Sequence, residues 1–224
     1  MKLYMHPVST TSRPIRLLIA EKKLPVEEQI VDLMTGEHVR LPYVEKNPNK
    51  LVPMIEEGSF RLTESSAILK YLASKFELPE YPTQLEQRAK VDESMDWFNT
   101  QFYRDYAYGL LYPQMFPHHK RPTPEIQDGV IAWGRERAKG WIELLDEHWI
   151  GPQRDWLAND RISIADYFGS CLLTVGEVVR CDFSGYRNVS RWLGNMSKLD
   201  SWGKINEALH GFKQAVKDQP FQAL

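Results

Sequence analysis

Lys2-Leu3-Tyr4-Met5-His6-Pro7-Val8-Ser9-Thr10-Thr11-Ser12-Arg13-Pro14-Ile15-Arg16-Leu17-Leu18-Ile19 is the stretch on which the architecture turns. Lys2 to His6 is a minimal apolar run that reads as a strand. Ile15, Leu18 and Ile19 then recur at helical spacing, which predicts a helix over 13–24. Pro14 suits the first helical turn, where its missing N–H is not needed. Between strand and helix stand four consecutive hydroxyl residues, Ser9 to Ser12. A helix N-terminus carries unpaired N–H groups and partial positive charge. It favours an anion such as a carboxylate, phosphate or thiolate, and a hydroxyl at that end can donate to the same anion. One hydroxyl is enough to cap the helix, so the run exceeds what capping needs.

Working outward, Glu27 to Asp32 reads as a second strand. Val52 to Glu56 and Ser59 to Leu62 read as a hairpin around Glu56-Glu57-Gly58. Glu64 to Phe76 is helical, with Ile68, Tyr71, Leu72 and Phe76 on one face. The order β-α-β, a variable piece, then β-β-α implies a small mixed sheet with helices on its faces. Residues 77–84 hold two prolines and no periodic pattern, and read as a linker. From Leu85 onward the patterns are helical. An aromatic-rich segment runs from Leu85 to Phe116, Pro117 to Pro124 breaks it, and Glu125 to Trp149 follows, ended by Gly151 and Pro152. Ser163 to Val179, 187–198 and 200–216 complete the series. Ser163 and Asp166 have capping-box spacing, which accounts for Asp166 without a catalytic role. The predicted division is therefore 1–77 and 85–224.

Composition narrows the chemistry. The chain has 224 residues, 42% hydrophobic, with 28 Lys+Arg against 30 Asp+Glu. It can bury a sizeable core, and no global field recruits nucleic acid or an anionic membrane. No apolar stretch approaches the roughly 20 residues of a membrane span, and Met1 to Pro7 lacks a signal-peptide core, so a cytoplasmic setting is expected. The two cysteines, Cys171 and Cys181, make neither a disulfide framework nor a zinc site by themselves. Neither lies at the first strand–helix turn, which therefore has no thiol nucleophile. P-loop, HExxH and GxSxG motifs are absent. The adjacent His118-His119 reads as an exposed loop, and no metal is expected.

Two further segments carry polar or backbone groups suited to a ligand. In Lys50-Leu51-Val52-Pro53-Met54 a proline stands where a strand begins, which a sheet tolerates. A plain trans bond is the simpler reading; a cis bond would turn the Val52 backbone groups toward an extended peptide-like ligand. In Thr63-Glu64-Ser65-Ser66, Thr63 reads as an N-cap. The Ser65 hydroxyl and nearby N–H groups suit a carboxylate and Glu64 suits an ammonium, together an amino-acid head.

Taken together and in this order, Val8-Ser9-x-x-Ser12-Arg13, Val31-Asp32-Leu33, Gly36-x-His38, Val52-Pro53, Leu62 to Leu69 and Ser163-x-x-Asp166 resemble the glutathione S-transferase family, most closely its theta-like, serine-type branch. The resemblance implies an α/β thioredoxin-like N-terminal domain plus an all-α C-terminal domain. It implies an enzyme that activates the thiolate of glutathione, its co-substrate, for conjugation or dehalogenation of small hydrophobic electrophiles, a detoxification chemistry. Glutathione-dependent peroxide reduction and a non-catalytic ligand- or partner-binding role are the alternatives. Carried over residue by residue, Ser9 donates to the sulfur, with Thr10, Ser12 or Tyr4 as substitutes. Val52, with Pro53 cis, meets the cysteinyl unit, and Glu64 and Ser65 hold the γ-glutamyl head. His38 and Leu51 or Lys50 lie at the glycyl carboxylate. Two departures fall at that end: Val39 replaces the branch's lysine after the histidine, and Leu51 replaces its lysine two positions before the proline. Tyr103, Arg104 and Tyr106 are the expected electrophile-site residues, and a homodimer is implied.

Overall fold

The computed structural model describes residues 1–224. A four-stranded sheet in the order β2-β1-β3-β4 is built from β1 (Lys2–Met5), β2 (Glu27–Ile30), β3 (Met54–Glu57) and β4 (Phe60–Leu62). β1 pairs parallel with β2 and antiparallel with β3, and β3 pairs antiparallel with β4. The hairpin closes through Gly58 and Ser59, since Glu57 faces Phe60. It is one residue later than the sequence spacing suggested, because Gly58 takes the positive φ that such a turn needs.

Strand alternation divides the side chains of β1 between two cores. Leu3 and Met5 face α1 (Arg13–Lys22) and α3 (Ser65–Lys75), whose Ile15, Leu18, Ile68 and Leu72 are buried with them. Tyr4 faces the other way, into a small cluster with Val31, Tyr43, Val52 and Met54. Tyr43 opens the one-turn helix α2 (Tyr43–Lys46), which covers that face. On this side Glu56 of β3 accepts from Tyr4 Oη at 2.7 Å, Lys46 Nζ at 2.8 Å and Arg61 Nε at 3.0 Å.

The remainder is helical. α4 (Leu85–Trp97) runs on through π-wound turns at Phe98–Phe102 and Arg104–Leu111 into α5 (Tyr112–Met115). α6 (Pro124–Leu144) starts at a Thr123 cap and passes into a π turn at Leu145–Ile150. α7 (Ile164–Thr174) is buried along its whole length and tightens at Val175–Val179, and α8 (Arg187–Met196) and α9 (Trp202–Ala215) complete the set. Asp166 closes the capping box of α7. Its carboxylate takes the Ser163 N–H and hydroxyl, the Leu157 N–H and the Trp192 indole, all within 2.9 Å, so every acceptor site of this buried acid is used. One cluster of 44 buried residues runs from Leu3 and Ile15 through Phe98, Phe168 and Trp192. Sheet half and helical half therefore share a core, and the segment between them is not a free hinge.

α6 crosses the π-wound stretch through a glycine pair. A Cβ at Gly134 would lie 2.4 Å from the Gly109 carbonyl carbon, whereas one at Gly140 of the same helix meets nothing within 4 Å. Two substitutions in one helix should thus move stability in opposite directions. Gly134→Ala lowers it by about 1–3 kcal/mol through overpacking, and Gly140→Ala raises it by about 0.5–1 kcal/mol through helix propensity. Urea melts of the two variants against the parent check both signs.

Candidate active site

The site grows from the turn between β1 and α1. The Ser12 and Arg13 N–H groups both bond to the Ser9 carbonyl, at 3.2 and 3.1 Å, so the chain is already winding at Ser9. The Ser12 N–H also reaches the Ser9 hydroxyl oxygen at 3.3 Å. That contact orients Ser9 through its oxygen. The four hydroxyls then separate by environment. Ser12 is fully enclosed, with no partner for its Oγ. Thr10 is nearly enclosed and accepts from Tyr112 Oη at 3.0 Å. Thr11 donates to the Val52 carbonyl at 3.3 Å. Ser9 remains half-buried, with Thr11 Oγ1 at 3.5 Å. Burial of Ser12 takes it out of a cleft-lining role, because its hydroxyl points into packed protein. Tyr4 is engaged as well: its hydroxyl donates to Glu56 and accepts from Lys46 Nζ at 2.6 Å.

Opposite this turn, Val52–Pro53 is cis, and so is Leu41–Pro42. The Val52 N–H finds no acceptor in the chain. Leu51 is exposed, while its carbonyl is taken by Tyr43 Oη at 2.5 Å and Asn47 Nδ2 at 2.7 Å. At the start of α3 the expected Thr63 cap is replaced. The N-cap is Glu64, at φ 65, and no side chain caps the helix. Thr63 Oγ1 accepts from Asn49 instead. A strained Glu64 backbone thus leaves the first N–H groups of α3 open beside an exposed Glu64 and a buried Ser65. His38 sits in the 3₁₀ turn Glu37–Val39 with its Nδ1 enclosed and unpartnered. Burial, and then the nearby His118, holds its pKa below the usual value.

From the helical half, Tyr103 and Tyr112 bring their hydroxyls together at 2.5 Å, and the Tyr112 bond to Thr10 continues the chain to the β1–α1 turn. Tyr108 packs edge-on against both rings, at 5.4 and 5.0 Å. His119 lies 5.3 Å from Tyr112 and 5.4 Å from Tyr108, so it joins this aromatic wall instead of standing free in a loop. Two expected electrophile-site residues do not join it. Tyr106 is fully buried and donates to the Leu173 carbonyl at 2.8 Å. Arg104 turns to the other side of the helix, where the enclosed Asp105 also takes Arg137 and the Trp141 indole. The reason is helical phase. An α-helix puts 103 beside 106 and 107, whereas π turns, bonded i to i+5, bring 103, 108 and 112 to one face.

Cys171 and Cys181 are buried and unpaired. Burial pushes the Cys171 thiol up to about 11 and raises Cys181 as well, so both are packing groups. No helix is long and apolar enough to cross a membrane.

Residues 1–74 match the family model described as the N-terminal domain of glutathione S-transferase, and residues 137–200 match its C-terminal domain. Human glutathione S-transferase theta-1 is 38% identical over 197 residues, covering 86% of this chain and 80% of its own length. The bovine theta-1 protein is 36% identical over 225 residues, 98% of this chain and 92% of its own. Among solved structures, human glutathione transferase theta-2, complexed with glutathione and an unknown ligand, superposes with a TM-score of 0.84 at 24% identity, covering 100% of this chain and 93% of that one. Apo human glutathione S-transferase T1-1 gives 0.80 at 25% identity, covering 96% of each.

The Glu56 cluster beneath the site has a measurable pH signature. The Lys46 ammonium, then the Tyr4 hydroxyl, hold the Glu56 carboxyl down at about 2, below its ordinary 4.5. A depressed carboxyl contributes stability above the unfolded value and loses it as pH falls through the folded one. Glu56→Gln should therefore cost about 1 kcal/mol at pH 7, with the difference shrinking between pH 4.5 and 2 and gone below that. Denaturant midpoints of both proteins across that range check it.

Proposed function

Because this chain belongs to the glutathione S-transferase family, we propose that its Ser9 hydroxyl activates the thiol of bound glutathione. The enzyme is a glutathione transferase. The observation that carries the role of Ser9 is the division of labour in its turn: of four neighbouring hydroxyls, one is sealed, two are engaged, and Ser9 at the start of α1 is half-buried, its oxygen oriented by the Ser12 N–H and its proton held only by a long 3.5 Å contact to Thr11.

The chemistry follows. A free thiol titrates near 8.5 and only its thiolate is a good nucleophile. A hydroxyl donor and the positive end of a helix both favour the ionised sulfur, which lowers its pKa. The free Val52 N–H suits the cysteinyl carbonyl. The open first turn of α3 takes the γ-glutamyl carboxylate, and Glu64 takes the ammonium. His38 and the exposed Leu51 flank the glycyl end, where a neutral imidazole can donate a hydrogen bond. Thr10 supports the turn through Tyr112. Tyr103, Tyr108, Tyr112 and His119 wall the neighbouring space for a small hydrophobic electrophile, held beside the sulfur so that proximity supplies much of the rate. Tyr106, Arg104 and Ser12 are left out of this assignment, as their surroundings require.

Ser9→Ala should raise the bound thiol's pKa by about one to two pH units and lower turnover at pH 7 roughly tenfold or more, with the two proteins converging at high pH. Ultraviolet titration of bound glutathione reads this directly, and an unchanged thiol pKa would reject Ser9 as the donor. A panel of alkyl halides, chlorodinitrobenzene, isothiocyanates and hydroperoxides then sorts conjugation from dehalogenation and peroxide reduction.

The working form we propose is a cytoplasmic homodimer in which the α3 side of one copy meets the long helices of the other. The half-exposed Phe60, packed at a tilt against Tyr71 of α3 with ring centres 5.0 Å apart, supplies apolar surface there. Sedimentation at micromolar concentration should give twice the 26.1 kDa chain mass, and a monomer would refute it.

A further inference from the structure

The cleft differs in charge from end to end. At one end the exposed Tyr108 feels the negative charge of Glu64. At the other, His38 of the sheet half has His118 of the helical half as the only titratable group that bears on it. His119 in turn feels His118 and Arg121. No carboxylate acts on His38 or His119. None lies within ion-pair distance of any histidine or of Arg121. Basic groups gathered from two halves of a chain without an acid repel one another, and an anion between them removes that repulsion.

The two imidazoles that face each other bring different properties. His38 has its Nδ1 enclosed without a partner, and only its Nε2 is left open. Burial, and then His118, lowers its pKa, so near pH 7 it is a neutral donor fixed in place. His118 is exposed. Its ring lies 5.8 Å from that of Phe116 and close to parallel with it, and Phe116 stacks on Phe212 of α9 at 6.2 Å. His119, next in the chain, packs on Tyr112 at 5.3 Å. The turn that carries His118 is therefore held by packing on two sides while the imidazole itself stays hydrated. Histidine is the side chain whose charge changes near neutral pH, and a bound anion favours its charged form.

We propose that His118 is a glutathione-binding residue: it closes on the glycyl carboxylate from the helical half, opposite His38, and makes recognition of the glycine unit pH-dependent. Glu64 then meets the ammonium at one end of the tripeptide and two imidazoles meet the carboxylate at the other.

The inference rests on the proposed glutathione site, and the test keeps the two apart. S-methylglutathione has no thiol to titrate, so its affinity reports the peptide contacts alone. Its glycyl amide differs from it only in the charge of that end. Calorimetric titration should show the parent binding S-methylglutathione about three- to fivefold more tightly at pH 6 than at pH 8, as one solvated ion pair would give. The amide should show no such preference. His118→Phe keeps a ring against Phe116 and removes the charge. It should lose that factor at pH 6, stay within about twofold of the parent at pH 8, and bind the amide as the parent does. His118→Lys stays charged throughout and should bind S-methylglutathione equally at both pH values. Absence of S-methylglutathione binding to the parent at either pH rejects the glutathione site and this role with it. Binding without a pH preference, or a His118→Phe loss that falls equally on the amide, overturns the role of His118 alone. A preference that survives in His118→Phe overturns it too, since another imidazole then holds the carboxylate.

Discussion

The turn from Ser9 to Arg13 is pinned from several sides, and the rest of the structure depends on that pinning. Its own backbone winds early, through bonds to the Ser9 carbonyl. The cis-proline loop reaches it through Thr11 and Val52. The aromatic helix reaches it through Tyr112 and Thr10. α7 and α9 reach it through Arg13. A turn tied only to its own strand and helix would have the mobility of an ordinary surface loop. Here the donors at the helix end are held by four separate elements, and small errors in donor position are what electrostatic stabilisation tolerates least.

The aromatic helix meets two demands at once, and its π turns reconcile them. One face must cross α6 closely, which the Gly109–Gly134 contact permits. It must also present rings to the space above the turn. Regular α winding would send Tyr106 and not Tyr112 toward that side. Extra residues per turn rotate Tyr103, Tyr108 and Tyr112 into register, while Tyr106 drops into the core against Gly176, where a Cβ would collide with its hydroxyl.

Much of this was legible in the chain because it follows from local chemistry. The hydroxyl run before Pro14 and the Ser163-to-Asp166 spacing each name a local structure with a mechanism; the Val52-Pro53 step reads more simply as trans, and only the family resemblance implies the cis bond that is present. What escaped depends on geometry that spacing does not encode. Glu64, not Thr63, caps α3, because the choice rests on a positive φ at a residue with no intrinsic taste for it. Tyr112 stands in an aromatic crowd that α-helical spacing puts out of phase, and His119, which reads as part of an exposed loop, packs against Tyr108 and Tyr112. Arg13 had a weak signal: it stands one turn before Leu17, on the side of α1 opposite Ile15 and Leu18, and both sides carry apolar residues that are buried. A cation on an apolar face is usually snorkelling at an edge. Only the packing of α7 and α9 over it shows that this one cannot reach water.

The same surroundings explain why the protein's own sulfur stays out of the chemistry. Cys171 lies beside Arg13, and a neighbouring guanidinium is a common way to make a thiol reactive. Yet burial wins there, and the thiol is pushed up to about 11. It is the Cys171 carbonyl, not its sulfur, that touches the guanidinium. A sulfur sealed in the core gains the cation's field but loses all hydration. On the proposed assignment, a sulfur brought to the half-buried Ser9 end of the same helix keeps part of its hydration and gains a hydroxyl donor and a helix terminus. The difference in solvation would then favour ionisation of the thiol carried in by the substrate over that of Cys171.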